Sequence, residues 1–149
     1  TPRRVAATAL GYGDPAGDAA LREALAARLD GLGIAATPSQ IVTTVGATHA
    51  LDVVTRTLLR PGDQVLVDDP GWSVEFARLE ALGMRLLPVP RRADGPDVEA
   101  MRRIVEAQRP AERPRLYVTV SVLHNPTGGS LAPPVAHQVL RLAETHGFT

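Results

Sequence analysis

The sequence contains no cysteine and no lysine. Without cysteine there is no disulfide scaffold, no Cys-ligated zinc and no thiolate nucleophile. Without lysine no residue present can form a Schiff base, because a guanidinium stays protonated and offers no free amine. All 16 basic residues are arginines, and 16 acidic residues balance them to a net charge of zero. A nucleic-acid module normally carries a basic excess, so the chain does not read as one. No apolar run approaches a membrane span, and the N-terminus lacks the apolar core of a signal peptide. The expectation is a soluble, cytoplasmic globular piece whose 149 residues can bury one sizeable core. Aromatics are scarce at 3% while alanine and arginine are used heavily, a pattern that reads as codon bias more than function.

What is present is punctuation and alternation. Residues 1–17 read as an N-terminal arm and loop that ends in the turn sequence GYGDPAG, and residues 18–149 as the domain proper. Asp18 stands at an N-cap position before a helix carrying Leu21, Leu25 and Leu29, which Gly31 and Gly33 stop. The β-branched run Ile41 to Val45 predicts a strand, and Gly46 leads into a helix from Ala47 to about Leu59. Gln64 to Val67 predicts a strand and Ser73 to Leu82 a helix. Arg85 to Val89 predicts a strand that Pro88 and Pro90 cut off from a helix near Asp97 to Ala107. Arg115 to Ser121 predicts the last strand, and Pro133 to His146 a closing helix with Gly147 as its stop. Strands alternating with helices predict an α/β fold with a mostly parallel sheet, whose ligands sit at the carboxyl ends of the strands. Three loops fall there: Gly46-Ala47-Thr48, Pro70-Gly71-Trp72 and His124 to Gly128.

Each loop has two readings on its own residues. Gly46-Ala47-Thr48 opens a helix, where unpaired N–H groups and the positive dipole end suit a phosphate; it is equally an ordinary turn with Thr48 as a cap. Trp72 offers a flat ring to stack on a planar ligand, or is a surface aromatic or a subunit contact. Asn125, in HNPTG, holds a donor and an acceptor in fixed geometry, or simply forms an Asn-Pro turn. Tyr12 can donate from its phenol, or pack beside the GYGDPAG turn. His124 has no carboxylate partner in the sequence around it and reads as a structural neighbour rather than a base.

In their order, GYGDPAG…LREALAARL, VTTVGATHAL, RPGDQVLVDDPGW and HNPTG resemble the fold type I pyridoxal-phosphate enzymes, the aspartate aminotransferase superfamily, from about Gly11 to Phe148. The resemblance implies the family's three-layer cofactor-binding large domain, here incomplete. It implies that Gly46, Ala47 and Thr48 hold the phosphate of pyridoxal 5′-phosphate, that Trp72 stacks on its ring, and that Asn125 hydrogen-bonds its phenolic oxygen. Tyr12 matches a tyrosine that reaches the phosphate in the neighbouring subunit, which implies a homodimer. The family's Schiff-base lysine, its aspartate at the pyridine nitrogen and its arginines for phosphate and substrate would all lie beyond Thr149. This stretch alone is therefore expected to hold no catalytic residue and no metal, to be inactive, and to leave a gap in its sheet that makes it unstable alone. The run Tyr117 to Gly128 with the Ala136-His137 helix is similar to the MocR-type subset of GntR-family regulators. There such a domain senses cofactor or an amino-acid or amine ligand, and contacts DNA only through a helix-turn-helix domain that would precede Thr1. The alternative implied is a free-standing class I/II aminotransferase.

Overall fold

The computed structural model describes residues 12–149, so most of the expected arm lies outside the described residues. The chain forms two compact units that divide between Asp52 and Val53.

In the first unit, helix α1 spans Ala19–Asp30. The Asp18 carboxylate accepts the Leu21 N–H at 2.9 Å, satisfying one of the donors a helix start leaves open. The turn at residues 14–17 is tied to this helix by Arg22, which pairs with Asp14 at 2.9 Å and donates to the Gly17 carbonyl at 3.1 Å. A 3-10 turn at Pro38–Gln40 follows, closed by the Gln40 side chain on the Thr37 N–H at 2.9 Å. The strand expected over Ile41 to Val45 is not formed among the described residues. The segment has no ladder partner there; its one backbone bond to a distant part of the chain is Thr43 N–H to the Ala16 carbonyl at 2.9 Å, the others being local. Helix α2, Gly46–Leu58, begins in this unit and ends in the second.

The second unit is built on a sheet. Strand β1 spans Gln64–Asp69, β2 Arg85–Arg92, β3 Gly95–Pro96 and β4 Leu116–Val118, in the order β3-β2-β1-β4. β1 runs parallel to β2 and to β4, and only the short β3 is antiparallel. The expected α/β class with a mostly parallel sheet is therefore found. β1 is central, which explains why Val65, Leu66 and Val67 form an unbroken apolar run rather than an alternating one.

Helices cover both faces: α3 at Ser73–Ala81, α4 at Val98–Glu106 and α5 at Pro133–His146. Leu66 and Val89 pack with Met101 and Val105 of α4, with Val139 and Leu142 of α5, and with Phe148. On the opposite face Val65, Val67 and Leu116 pack with Leu79 of α3, Leu59 and Met84. The buried Thr55 of α2 is joined to α3 by Arg78, which donates to its hydroxyl at 3.0 Å while gripping Glu75 at 2.6 and 2.9 Å. No helix among the described residues is long and apolar enough to cross a membrane.

Two boundaries differ from expectation. β2 does not stop at Val89 but runs through Pro88 and Pro90 to Arg92. Residues two apart point their backbone groups to the same side, and the Pro90 carbonyl accepts the Asp97 N–H at 2.7 Å on the side away from β1. Both missing N–H groups therefore fall on the outer side, where no parallel ladder needs them. β4 ends at Val118 rather than Ser121. On its outer side Thr149 accepts from the Tyr117 N–H at 2.7 Å and donates to the Arg115 carbonyl at 3.0 Å, the two bonds of one parallel rung.

Candidate functional site

The carboxyl ends of β1 and β4 lie on one edge of the sheet because the strands are parallel and adjacent. Trp72 leaves the end of β1 and HNPTG follows the end of β4, so the second unit delivers both motifs to the same edge. Trp72 is half-buried and stands at the N-cap of α3, accepting the Glu75 and Phe76 N–H groups through its carbonyl at 3.0 and 3.3 Å. The turn that presents it requires Gly71: a side chain there would collide with the Asp68 carbonyl oxygen and the Phe76 ring. Asn125 is exposed, and its amide makes no hydrogen bond among the described residues.

Gly46, Ala47 and Thr48 lie in the first unit, at the start of α2, and all three are exposed. Gly46 holds φ of +79°, a left-handed conformation that favours glycine, and the space where a side chain would stand is open. The backbone N–H groups of these residues find no acceptor among the described residues. Thr48 is not the cap of this helix. Instead the His49 ring accepts the Val45 N–H at 3.1 Å, and the Thr44 hydroxyl donates to the Gly46 carbonyl at 3.2 Å. Open donors at a helix start are what an anionic phosphate needs. Tyr12 is fully exposed and does not pack beside its turn.

The sequence did not point to the polar cluster behind this edge. Asp68, the penultimate residue of β1, is buried among donors. Arg91 of β2 reaches its Oδ2 at 2.8 Å, and both side chains are at most 3% exposed. The Thr119 hydroxyl donates to the same oxygen at 2.6 Å, and the Tyr117 hydroxyl donates to Oδ1. Burial and the adjacent carboxylate push the Tyr117 phenol well above its usual range, so it stays a donor. His124 faces Asp68 with Nε2 at 3.4 Å, and its Nδ1 lies 2.9 Å from the Thr127 hydroxyl. Burial, reinforced by the Arg91 charge, holds the imidazole below its ordinary value, and so neutral at pH 7. The tautomer protonated at Nε2 suits the facing carboxylate and leaves Nδ1 to accept from Thr127. The carboxylate that the local sequence does not offer His124 thus comes from 56 residues earlier and faces one ring nitrogen, while Thr127 bonds the other. The available signal was Asp68 itself, an acid closing an otherwise apolar central strand. Among the described residues no group of His, Asp and Glu is arranged to hold a metal.

Comparison with known proteins gives one family. Residues 3–149 match the family model for aminotransferase class I and II. An uncharacterised HTH-type transcriptional regulator of Bacillus subtilis, YisV, is 31% identical over 91% of the chain. A mutant aspartate aminotransferase of Thermus thermophilus superposes on 99% of the chain with a TM-score of 0.84 at 32% identity. LysN, the α-aminoadipate aminotransferase of Thermus thermophilus, solved with N-(5′-phosphopyridoxyl)-L-leucine, covers 95% of it with a TM-score of 0.80 at 29% identity. The chain spans only 27%, 38% and 34% of the lengths of these three relatives.

Proposed function

The chain belongs to the class I and II aminotransferase family, and from that premise we propose that it is part of a pyridoxal-phosphate-binding effector domain in a GntR/MocR-type transcriptional regulator. The observation that carries the cofactor reading is the start of α2, where Gly46, Ala47 and Thr48 present open N–H donors beside a left-handed glycine. Donors of this kind fit a dianionic phosphate with no side chain intervening. The half-buried Trp72 and the unengaged Asn125 amide are of the right chemistry for a pyridine ring and a phenolic oxygen.

In this reading the cofactor, when bound, supplies the electron sink for chemistry at an amine-bearing carbon. The residues of this chain bind and orient. The α2 start would bind the phosphate, Trp72 would stack on the ring and exclude water, and the Asn125 amide would donate to the ring oxygen. The exposed Tyr12 phenol suits a phosphate contact in the partner subunit of a homodimer. An amino acid or amine is the ligand class. The amine that anchors the cofactor comes from a lysine outside this chain.

The regulator reading is supported by the likeness to YisV over 91% of the chain. It places the protein in the cytoplasm and gives DNA contact to an attached helix-turn-helix domain. The likeness to aminotransferases over 99% and 95% of the chain favours the second reading, a free-standing enzyme acting on an amino acid. The coding sequence upstream of Thr1 separates them: a basic helix-turn-helix pattern is expected, and a start codon close to Thr1 refutes the regulator. For the cofactor, full-length protein is expected to develop a visible absorbance band with pyridoxal phosphate, lost when the anchoring lysine is replaced. No band in the intact protein refutes cofactor binding.

A further inference from the structure

Residues 120–130 form the loop that carries HNPTG, and His124 is the only one of them that is buried. The loop is closed on itself by His124 N–H to the Gly129 carbonyl at 2.8 Å, Gly128 N–H to the His124 carbonyl at 2.6 Å and Leu131 N–H to the Ser121 carbonyl at 2.8 Å. Those bonds shape the loop but do not attach its tip to the sheet. The side chain of His124 does. Its Nε2 faces Asp68 of the central strand, and its Nδ1 receives the hydroxyl of Thr127, two residues beyond Asn125. The Thr127 oxygen in turn accepts the Gly129 N–H at 3.4 Å. Leu123, immediately before the histidine, sits at φ of +50°, a conformation a leucine adopts only when its surroundings impose it. The surroundings here are the anchored ring on one side and the Ser130 hydroxyl, which accepts the Leu123 N–H at 3.3 Å, on the other.

The Asp68 end is equally fixed. Arg91 and Thr119 hold Oδ2 and Tyr117 holds Oδ1, so the carboxylate cannot rotate without breaking a bond to a buried donor. The Asn125 backbone is thus bracketed by an anchor whose own anchor is rigid, while its amide stays outside and unengaged. Both nitrogens of the imidazole face inward, Nδ1 bonded to Thr127 and Nε2 towards Asp68.

We propose that His124 is a positioning residue: linked to Asp68 and Thr127, it fixes the HNPTG turn so that the Asn125 amide is held where it meets the cofactor ring. This rests on the reading of Asn125 as a cofactor contact. The network is a relay of placement from the sheet to the exposed amide, assembled from β1, β2, the end of β4 and the loop.

The test uses full-length protein titrated with pyridoxal phosphate and read by absorbance and binding affinity. His124→Ala is expected to weaken affinity by about tenfold and to move the visible band, since a mispositioned amide no longer donates to the ring oxygen. His124→Gln, whose amide can donate towards Asp68 and accept from Thr127, is expected to recover most of both. The double variant His124→Ala/Asn125→Ala is expected to bind no more weakly than Asn125→Ala alone, because the histidine acts only through the asparagine. Additive losses in the double variant, or an unchanged band in His124→Ala beside a shifted one in Asn125→Ala, overturn the positioning role. If Asn125→Ala itself changes nothing, the cofactor contact fails first and takes the proposal with it. Should His124→Ala fail to fold, Thr127→Val removes the Nδ1 partner, and with it the long Gly129 N–H contact, while the imidazole stays in place. It is expected to move the band in the same direction, and an unchanged band there overturns the proposal.

Discussion

Replacing Arg91 by methionine removes the guanidinium and leaves a similar apolar volume. The partner left behind is Asp68, which with Arg91 is at most 3% exposed. Breaking a buried pair by deleting one member costs about 3–5 kcal/mol, because the other charge is stranded away from water. Two features of this site push the figure to the lower end. The Tyr117 and Thr119 hydroxyls still donate to the carboxylate, and Arg91 Nε is buried without a partner among the described residues, so its removal relieves an unmet donor. A loss of about 3 kcal/mol at pH 7 is therefore expected in urea unfolding of the full-length protein. Arg92→Met is the internal control. That arginine pairs with Asp97 at 2.7 Å, slightly closer than Arg91 to Asp68, but its side chain is 67% exposed. Its replacement is expected to leave the unfolding midpoint essentially in place, so that burial and not distance decides the outcome. Adding Asp68→Asn to Arg91→Met removes the stranded charge and is expected to recover part of the loss. An Arg91→Met protein as stable as wild type, or no more affected than Arg92→Met, refutes the reasoning.

Three further outcomes are expected. His124 has a folded-state value below its unfolded one, so the unfolded chain takes up the proton first as pH falls. Its contribution to stability is complete above the unfolded value of about 6.5 and declines as pH drops from there; the slope of stability against pH below 6.5 should be shallower in His124→Gln, and equal slopes contradict this. Met101 is fully buried between β1, β2 and α5, so Met101→Ala should cost about 2–5 kcal/mol in the same unfolding assay. Trp72→Ala should weaken pyridoxal-phosphate binding in the full-length protein by about 1 kcal/mol if the ring stacks; unchanged affinity removes Trp72 from the site.

The elements that the sequence made legible are those whose signals are local. Asp18, Asp97 and Gly147 each punctuate a helix by their own chemistry, and α1, α4 and α5 start or stop at or within a residue of them. The misread elements depend on partners. Ile41 to Val45 has the composition of a strand, but β-branched residues fit a pleated surface only when a neighbouring strand supplies one. Pro88 and Pro90 look like breakers until the side they face is known. At the site, Gly46-Ala47-Thr48, Trp72 and Asn125 were visible because each stands in a short motif. His124 was visible in the same motif as Asn125 and read as a structural neighbour, but Asp68, Arg91, Tyr117 and Thr119 were not, because the cluster comes from stretches up to 56 residues apart and only the parallel pairing of β1 with β2 and β4 collects it.

The two prolines of β2 also bear on synthesis and crowding. β1 and β2 leave the ribosome before β4, so for a time the pair is exposed with apolar faces and open edges. On the outer edge of β2, positions 88 and 90 offer a neighbouring chain nothing to receive a hydrogen bond from. Another nascent copy arriving there would meet a strand with two of its donors missing, whereas the β1 side accepts the parallel register of β4. The same residues that look like a flaw in a strand thus act as a one-way guard: they direct sheet growth toward the chain's own later segments and away from aggregation with other chains.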